Sequence, residues 1–314
     1  MTHNVQPISA TLNAAGVTVF ERGWLSANNI LIQGDGPTAF VDSGYWTHAQ
    51  QTCALVEQAL GDRPLDLLLN THLHSDHCGG NAELQKRFPQ ALTFIPPGHA
   101  SCVAEWDPVA LTYEPTGQHC PRFKSDALLI PGSQIRLGSQ HWEIHGAKGH
   151  DPHSIVLFEP TQRLLISADA LWENGFGVVF PELEGISAFD EVAETLDLIE
   201  RLSPLSVIPG HGSCFQNVAG ALQRARAKLN YFVNHPEKHH RHALKVLIKF
   251  KLLEWQSIQL DDLLRWGFNT EYLRAAMPFE GKDKPAGIAW LQTLLNELLL
   301  SKALVIDGQM VRNT

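Results

Sequence analysis

The segment HLHSDH begins at His72 and follows an apolar run, LDLLL. It brings His72, His74, Asp76 and His77 into six consecutive positions. Imidazole nitrogens and carboxylate oxygens together suit divalent zinc, iron or manganese. In an extended segment, alternate side chains project to the same side, so we expect the first three to face one point and His77 a neighbouring point. The segment therefore predicts metal binding at two adjacent points. The alternative is a solvated loop that happens to be rich in histidine.

One loop does not complete two metal sites, and three further polar residues stand at the ends of strand-like runs. His150 lies in AKGHDPHS, Asp169 closes LLISADA, and His211 follows LSVIP in the phrase PGHG. A single histidine or aspartate at a strand end is more often a turn or capping residue. Three of them, combined with the histidine cluster, favour metal ligands instead.

The elements that must position these residues change in kind along the chain. The first part alternates short strands with helices, and LDLLL is typical of a strand buried on both faces. Residues 126–171 read as strands separated by Gly, Pro and Ser, which predicts an antiparallel sheet. A helix follows with Ser187 as its N-cap, then a buried strand, and then a helix over about residues 215–232.

The composition shifts at NHPEKHHRH, residues 234–242, which is short, polar and basic. Beyond it, three helical segments and a hairpin around Asp307 and Gly308 indicate a winged-helix-like module. We therefore expect two domains, residues 1–233 for the chemistry and residues 234–314 for the helical module.

Composition narrows the classes of partner. The 314 residues carry a formal net charge of −9, and an acidic surface disfavours nucleic acid. No apolar window reaches the roughly 18 residues needed to span a bilayer. The first residues lack the pattern of a secretory signal, and the five cysteines are dispersed without CxxC pairing. We expect a cytoplasmic protein with a small-molecule substrate, no nucleic-acid partner and no membrane, and leave a homodimer open.

The order HxHxDH, GH, an aspartate after an apolar strand, and GH resembles the metallo-β-lactamase-fold hydrolases over about residues 17–215. The resemblance implies an α/β (α+β) fold, a four-layer αββα sandwich, followed here by the small, mainly helical C-terminal module. It also implies two metal ions. The first ion is expected on His72, His74 and His150. The second is expected on Asp76, His77 and His211, with Asp169 bridging the two.

The same resemblance gives other residues a role. Asp42 in AFVDSG matches the first aspartate of the family pattern, which supports the ligands without binding metal. His153 departs from the family, which usually has a small residue there. It is either a surface residue or a residue that supports the ligands, or else it reaches into the substrate pocket or competes with His150 for metal. Trp172, Phe176 and Phe180 lie in a loop beside Asp169 and shape either an apolar pocket or the core beneath that loop.

The expected chemistry is hydrolysis. Two divalent ions, with zinc expected and iron or manganese as alternatives, lower the pKa of a shared water from ~15.7 towards ~7 and so supply a bridging hydroxide. Asp76 and Asp169 are the expected catalytic residues. A GxSxG motif is absent from the sequence, and no Cys–His pair supports covalent catalysis. We expect cleavage of a small ester, thioester or lactone. The alternatives are a metal-dependent phosphodiesterase or ribonuclease, and a metal-retaining binding or regulatory protein with little turnover.

Overall fold

The structure is a computed structural model that describes residues 7–277 and 283–314. The strands are β1 (Val17–Phe20), β2 (Asn29–Ile32), β3 (Ala39–Val41), β4 (Leu67–Leu69), β5 (Leu92–Ile95), β6 (Ala127–Leu128), β7 (Gln134–Leu137), β8 (Gln140–Gly146), β9 (Ile155–Glu159), β10 (Leu164–Ala168), β11 (Ser206–Pro209), β12 (Ser257–Gln259), β13 (Leu304–Asp307) and β14 (Met310–Asn313). The helices are α1 (Ile8–Ala14), α2 (Ala49–Leu60), α3 (Ser75–Cys78), α4 (Asn81–Arg87), α5 (Ala100–Glu105), α6 (Phe180–Leu183), α7 (Phe189–Leu202), α8 (Val218–Asn234), α9 (Pro236–Trp255), α10 (Leu260–Asn269), α11 (Glu271–Ala275) and α12 (Lys284–Leu300).

Two sheets form the centre of the molecule. In the first sheet β1 to β6 lie side by side in chain order, antiparallel up to β3 and parallel from β3 to β6. The second sheet has the order β11-β10-β9-β8-β7, antiparallel except for the parallel pair β10 and β11. The predicted antiparallel sheet in the middle of the chain is confirmed for β7 to β10.

Helices cover the outer faces of both sheets. The residues between the sheets form one core that includes Ile30, Leu69, Trp142 and Leu157. Outside the first sheet, α2 and α4 pack against Phe40 and Leu68, while α7 and α8 cover the outer face of the second sheet. Since β4 has helices on one side and a sheet on the other, all its residues are buried, as its apolar run predicts. The αββα sandwich is confirmed.

Two helix starts differ from the prediction. The N-cap of α7 is Ala188 and not Ser187, because the Glu182 carboxylate accepts hydrogen bonds from the backbone N–H groups of Ala188 and Phe189 at 2.6 and 3.1 Å. Helix α8 starts at Val218, after its cap residue Asn217, because Phe215 pairs with Val207 as an extended residue.

The C-terminal part contains α9 to α12 and a three-stranded sheet of order β12-β14-β13. Its own core includes Leu244, Ile248, Leu252, Leu294 and Val311. The predicted terminal hairpin is present as β13 and β14. The winged-helix description and the domain division at residues 233 and 234 stay predictions. In the described part of the chain, no helix is long and apolar enough to cross a membrane.

Candidate metal centre and cleft

Asp42 holds the histidine loop at the end of the parallel strands. It follows β3 with a φ of 57°, and its carboxylate accepts hydrogen bonds from the Thr71 backbone N–H at 2.9 Å and the Thr71 hydroxyl at 2.8 Å. The same carboxylate lies 2.8 Å from His77 Nδ1. Asp42 therefore joins the ends of β3 and β4 and directs His77 Nε2 away from itself, while its role in supporting metal ligands stays a prediction.

The extended geometry expected for the loop is wrong from Ser75 onward. Residues Ser75–Cys78 form the helical turn α3, and the backbone N–H of His77 donates to the His74 carbonyl at 3.0 Å. A helical turn rotates successive side chains by about 100°. Asp76 consequently lies with His77 and not with His72 and His74. The family resemblance implies this grouping, whereas an extended segment would place Asp76 with His72 and His74.

His72, His74 and His150 form a first group. His72 Nε2 lies 3.0 Å from His74 Nδ1 and 3.2 Å from His150 Nε2. Ligand nitrogens around a tetrahedral ion with bonds of ~2.0–2.1 Å stand about 3.3 Å apart. Burial, with the neighbouring rings adding to it, lowers the pKa of His72 well below its usual range and that of His74 to about 4. Three converging imidazoles, at least two of them held neutral, fit a divalent ion.

The protein fixes the ring orientation in this group. His150 Nδ1 donates to the Val178 carbonyl oxygen at 2.5 Å, so its Nε2 lone pair faces the other two rings. Asp151 Oδ2 lies 3.9 Å from His74 Nε2, on the side of that ring opposite to His72. Asp151 directly follows His150 in the sequence, but no motif had marked it as part of the site.

Asp76, His77, Asp169 and His211 form a second group, in which ligand atoms of all four lie within 4.8 Å of one another. His211 Nε2 is 3.1 Å from Asp76 Oδ2. His77 Nε2 is buried and makes no hydrogen bond within the described residues. Burial opposes a charge on His77, but Asp42 and Asp169 outweigh it and raise the pKa of this ring well above its usual range. The group therefore attracts positive charge, which fits a second cation.

Asp169 faces both groups. Its Oδ2 lies 3.4 Å from His150 Nε2, whereas its Oδ1 lies 3.5 Å from His77 Nε2. The Trp172 indole N–H donates to Oδ1 at 3.2 Å and helps to hold the carboxylate. Histidine neighbours outweigh the cost of burial and keep the pKa of Asp169 well below its usual range. One ionised carboxylate thus extends one oxygen to each group.

A cavity of about 590 Å³ opens on these groups. The predicted residues Trp172, Phe176 and Phe180 line it. His153 is not among its lining residues in the described part of the chain, because its ring packs on His99 at 4.4 Å between centroids. Phe176 is also fully buried in the core beneath the loop, so both roles considered for the loop aromatics are present in this residue.

Several cavity residues were not predicted. Trp24 stacks on His211 at 5.3 Å with an interplanar angle of 10°, yet nothing in its sequence context marks it. His242, Val246, Phe250 and Leu253 reach the cavity from α9. Their spacing places these residues on one face of α9, which the sequence pattern can reveal. The pattern does not show what that face meets.

The ammonium group of Lys228 lies in an aromatic corner of the cavity. Its Nζ donates to the Phe176 carbonyl at 2.8 Å and lies 4.8 Å from the centre of the Phe176 ring. No carboxylate forms a salt bridge with it among residues 7–277 and 283–314. Burial lowers its pKa to about 8, against the opposing charge of Asp169.

Comparisons with known proteins agree with this geometry. The model of the metallo-beta-lactamase superfamily matches residues 22–211, and the chain belongs to this superfamily. An acyl-coenzyme A thioesterase of Gallus gallus is 25% identical over 54% of the chain, and a hydroxyacylglutathione hydrolase of Anaeromyxobacter dehalogenans is 28% identical over 65%. These matches span 63% and 69% of the relatives' own lengths.

A solved structure resembles the fold over nearly the whole chain. A metallo-beta-lactamase family protein from Thermus thermophilus superposes with a TM-score of 0.56 at 17% identity, covering 95% of this chain and 99% of its own. The predicted family and fold are confirmed. The predicted enzyme class, a metal-dependent hydrolase, agrees with the superfamily and with the names of the two relatives.

Proposed function

We propose that the protein is a dinuclear metal-dependent hydrolase of small-molecule thioesters, with esters and lactones as chemically related substrates. The observation that carries the proposal is Asp169, which extends one carboxylate oxygen to each histidine group at 3.4 and 3.5 Å. Two ligand sets that share one carboxylate are the arrangement expected for two neighbouring ions. Zinc suits the nitrogen-rich first group best, whereas iron and manganese suit the second group as well as zinc does.

The proposed division of the residues between the two ions is the one that the family resemblance implies. His72, His74 and His150 would hold the first, and Asp76, His77 and His211 the second, with Asp169 shared. When bound, the two ions would lower the pKa of a shared water towards neutrality and polarise the substrate carbonyl.

Side chains of the site orient the attacking water and hold the ligands in place. Asp76 is the more open of the two carboxylate ligands, with a side chain 14% exposed against 6% for Asp169, so it is placed to orient the attacking water and take up its proton. Asp42 keeps His77 in the tautomer that frees Nε2, and Trp172 holds Asp169 in place. Hydrolysis then breaks the bond between carbonyl carbon and sulfur, and the thiol leaves with a proton while the acid is released.

Two observations favour a thioester over the alternative bonds. Both named relatives act on thioesters by their names, the acyl-coenzyme A thioesterase and the hydroxyacylglutathione hydrolase. Most of the surface that the cleft exposes is apolar, and its two lysines make hydrogen bonds within the protein, Lys228 to the Phe176 carbonyl and Lys249 to the Asn313 side chain. Such a cleft is less suited to the charged backbone of RNA.

The test is turnover of the metal-loaded protein on a thioester, a lactone and a phosphodiester. Asp169→Asn keeps the shape of the side chain but removes its charge, so we expect kcat/KM to fall about a thousandfold with the fold intact. Asp62→Asn, at an exposed position, is the matched control and should have no effect. Full activity of Asp169→Asn with two ions bound would refute the site. Cleavage of the phosphodiester alone would replace thioester hydrolysis by the phosphodiesterase alternative, and no turnover on any substrate would favour a binding role.

A further inference from the structure

Helix α9 has two apolar faces with different partners. Leu244, Ile248 and Leu252 pack into the core of the C-terminal module. On the other face, Phe250 contacts Tyr45 of the catalytic part at 5.1 Å between ring centroids, which fixes the helix across the cleft. Val246 lies on this second face, one helical turn before Phe250, and lines the cavity while 36% exposed. An apolar side chain of α9 is thus exposed in the cleft.

The loop beside Asp169 adds apolar lining near the first histidine group. Val178 and Phe180 line the cavity there, and the Phe180 ring lies edge-on to His74 at 4.8 Å between centroids. The apolar surface therefore starts at the first histidine group and continues to α9. Of the two lysines that line the cleft, Lys249 Nζ is committed to the Ala303 carbonyl and the Asn313 side chain, each at 2.6 Å, and Lys228 Nζ to the Phe176 carbonyl at 2.8 Å.

We propose that this cleft binds the acyl group of the substrate, that the preferred acyl group is an extended aliphatic chain, and that Val246 limits its size. Apolar walls facing a cavity gain free energy when an apolar ligand displaces water from them, and a cavity of about 590 Å³ has the size of a small-molecule site. A short acyl group such as acetyl reaches the metal centre but leaves the α9 face uncovered. The kinetic part of this inference rests on the proposed thioester hydrolysis, whereas the binding part does not.

The binding test uses the metal-loaded protein and two carboxylates, octanoate and acetate, in calorimetric titrations. We expect octanoate to bind at least about tenfold more tightly than acetate, because its methylene groups are buried in the cleft. Val246→Trp fills the cleft and should weaken octanoate binding at least about tenfold, leaving acetate binding unchanged.

The matched control is Val305→Trp, which adds the same ring at an exposed position of β13 that does not line the cavity. It should bind octanoate as the wild type does. Should Val246→Trp fold poorly, Val246→Thr keeps the shape and adds a hydroxyl, and is expected to weaken octanoate by about threefold. Equal binding of octanoate and acetate by the wild type, or unchanged octanoate binding in both Val246 variants, overturns the proposal.

The kinetic test compares octanoyl and acetyl thioesters of the same thiol, N-acetylcysteamine. We expect the ratio of kcat/KM for the octanoyl thioester to kcat/KM for the acetyl thioester to fall at least about tenfold in Val246→Trp, because the value for the octanoyl thioester falls. If octanoate binding is blocked by Val246→Trp but neither thioester is cleaved, the acyl cleft stands and the proposed reaction fails. If both thioesters are cleaved with an unchanged ratio, the reaction stands and the acyl cleft fails.

Discussion

The two walls of the cleft are built in different ways. The metal wall takes seven polar side chains from loops that follow separate strands of both sheets, and partners such as Asp42 and the Val178 carbonyl hold individual rings in place. The α9 wall takes its cleft residues from one helix, and they are mostly apolar. The candidate metal ligands therefore come from many distant parts of the fold, whereas the α9 lining of the cleft comes from one face of one helix.

The two walls are connected by His239. Its Nε2 accepts a hydrogen bond from the Val179 backbone N–H at 3.2 Å, and the neighbouring Val178 carbonyl accepts a hydrogen bond from His150 Nδ1. Burial, followed by the charges of His240 and His242, lowers the pKa of His239 to about 3, which keeps the ring a neutral acceptor. Helix α9 therefore also helps to orient a residue of the first histidine group.

Asp42→Ala, on the metal wall, is expected to have the largest effect of the variants that test this difference between the walls. It leaves the Thr71 N–H and His77 Nδ1 without their acceptor, so we expect the affinity for the second ion to fall by about 10–100-fold. Metal content after dialysis against a graded chelator measures this. Asp126→Ala is the control, since Asp126 also accepts a backbone N–H, from Thr93 at 2.8 Å, elsewhere on the first sheet. Equal metal retention in both variants would contradict the role of Asp42.

A smaller effect is expected from His239→Ala, which breaks the connection between the walls. The buried Val179 N–H loses its acceptor and a small cavity forms, so the free energy of unfolding should fall by about 2 kcal/mol. The first ion should also be released at lower chelator concentration than in the wild type. His240→Ala, at the next and more exposed position of α9, should change neither quantity. A loss of stability without any change in metal release would show that His239 serves only packing.

The smallest effect concerns Lys228, where the loop aromatics meet α8. Its pKa is about 8 in the folded protein against an ordinary value of 10.5, so between these values the unfolded chain binds more protons and wild-type stability rises with pH. Of the titratable groups near it, Asp169 is ionised in this range, and His239 and His242, with pKa values of about 3 and 4, are neutral.

Lys228→Met lacks this dependence. Its stability relative to the wild type should therefore decrease by about 1 kcal/mol from pH 8 to 10.5, a value reduced by partial exposure of the side chain. Denaturant unfolding across this range measures it, with Lys238→Met at an exposed position as the control. Parallel curves of unfolding free energy against pH for Lys228→Met and the wild type would contradict a buried lysine with a lowered pKa.

The fold class and the candidate metal ligands were predictable from the sequence alone. Apolar strands and the polar residues that follow them are adjacent in the chain, so local patterns are sufficient to select His72, Asp169 and His211 as candidates. The grouping is less accessible to local reasoning: Asp76 joins His77 because Ser75–Cys78 turns as a helix, whereas the extended pattern places it with His72. Ser187 fails as a cap for a similar reason, since Glu182 reaches the same backbone groups from outside the helix.

The composition of the cleft, by contrast, depends on tertiary packing. Trp24 lies near the start of the chain, and Lys228 and Val246 lie on the successive helices α8 and α9; each is ordinary for its own segment. Helical periodicity shows which residues share a face, but it carries no information on the surface that the face meets. That information arises when α9 packs across the metal centre, because contacts between distant segments depend on the folded arrangement of the whole chain.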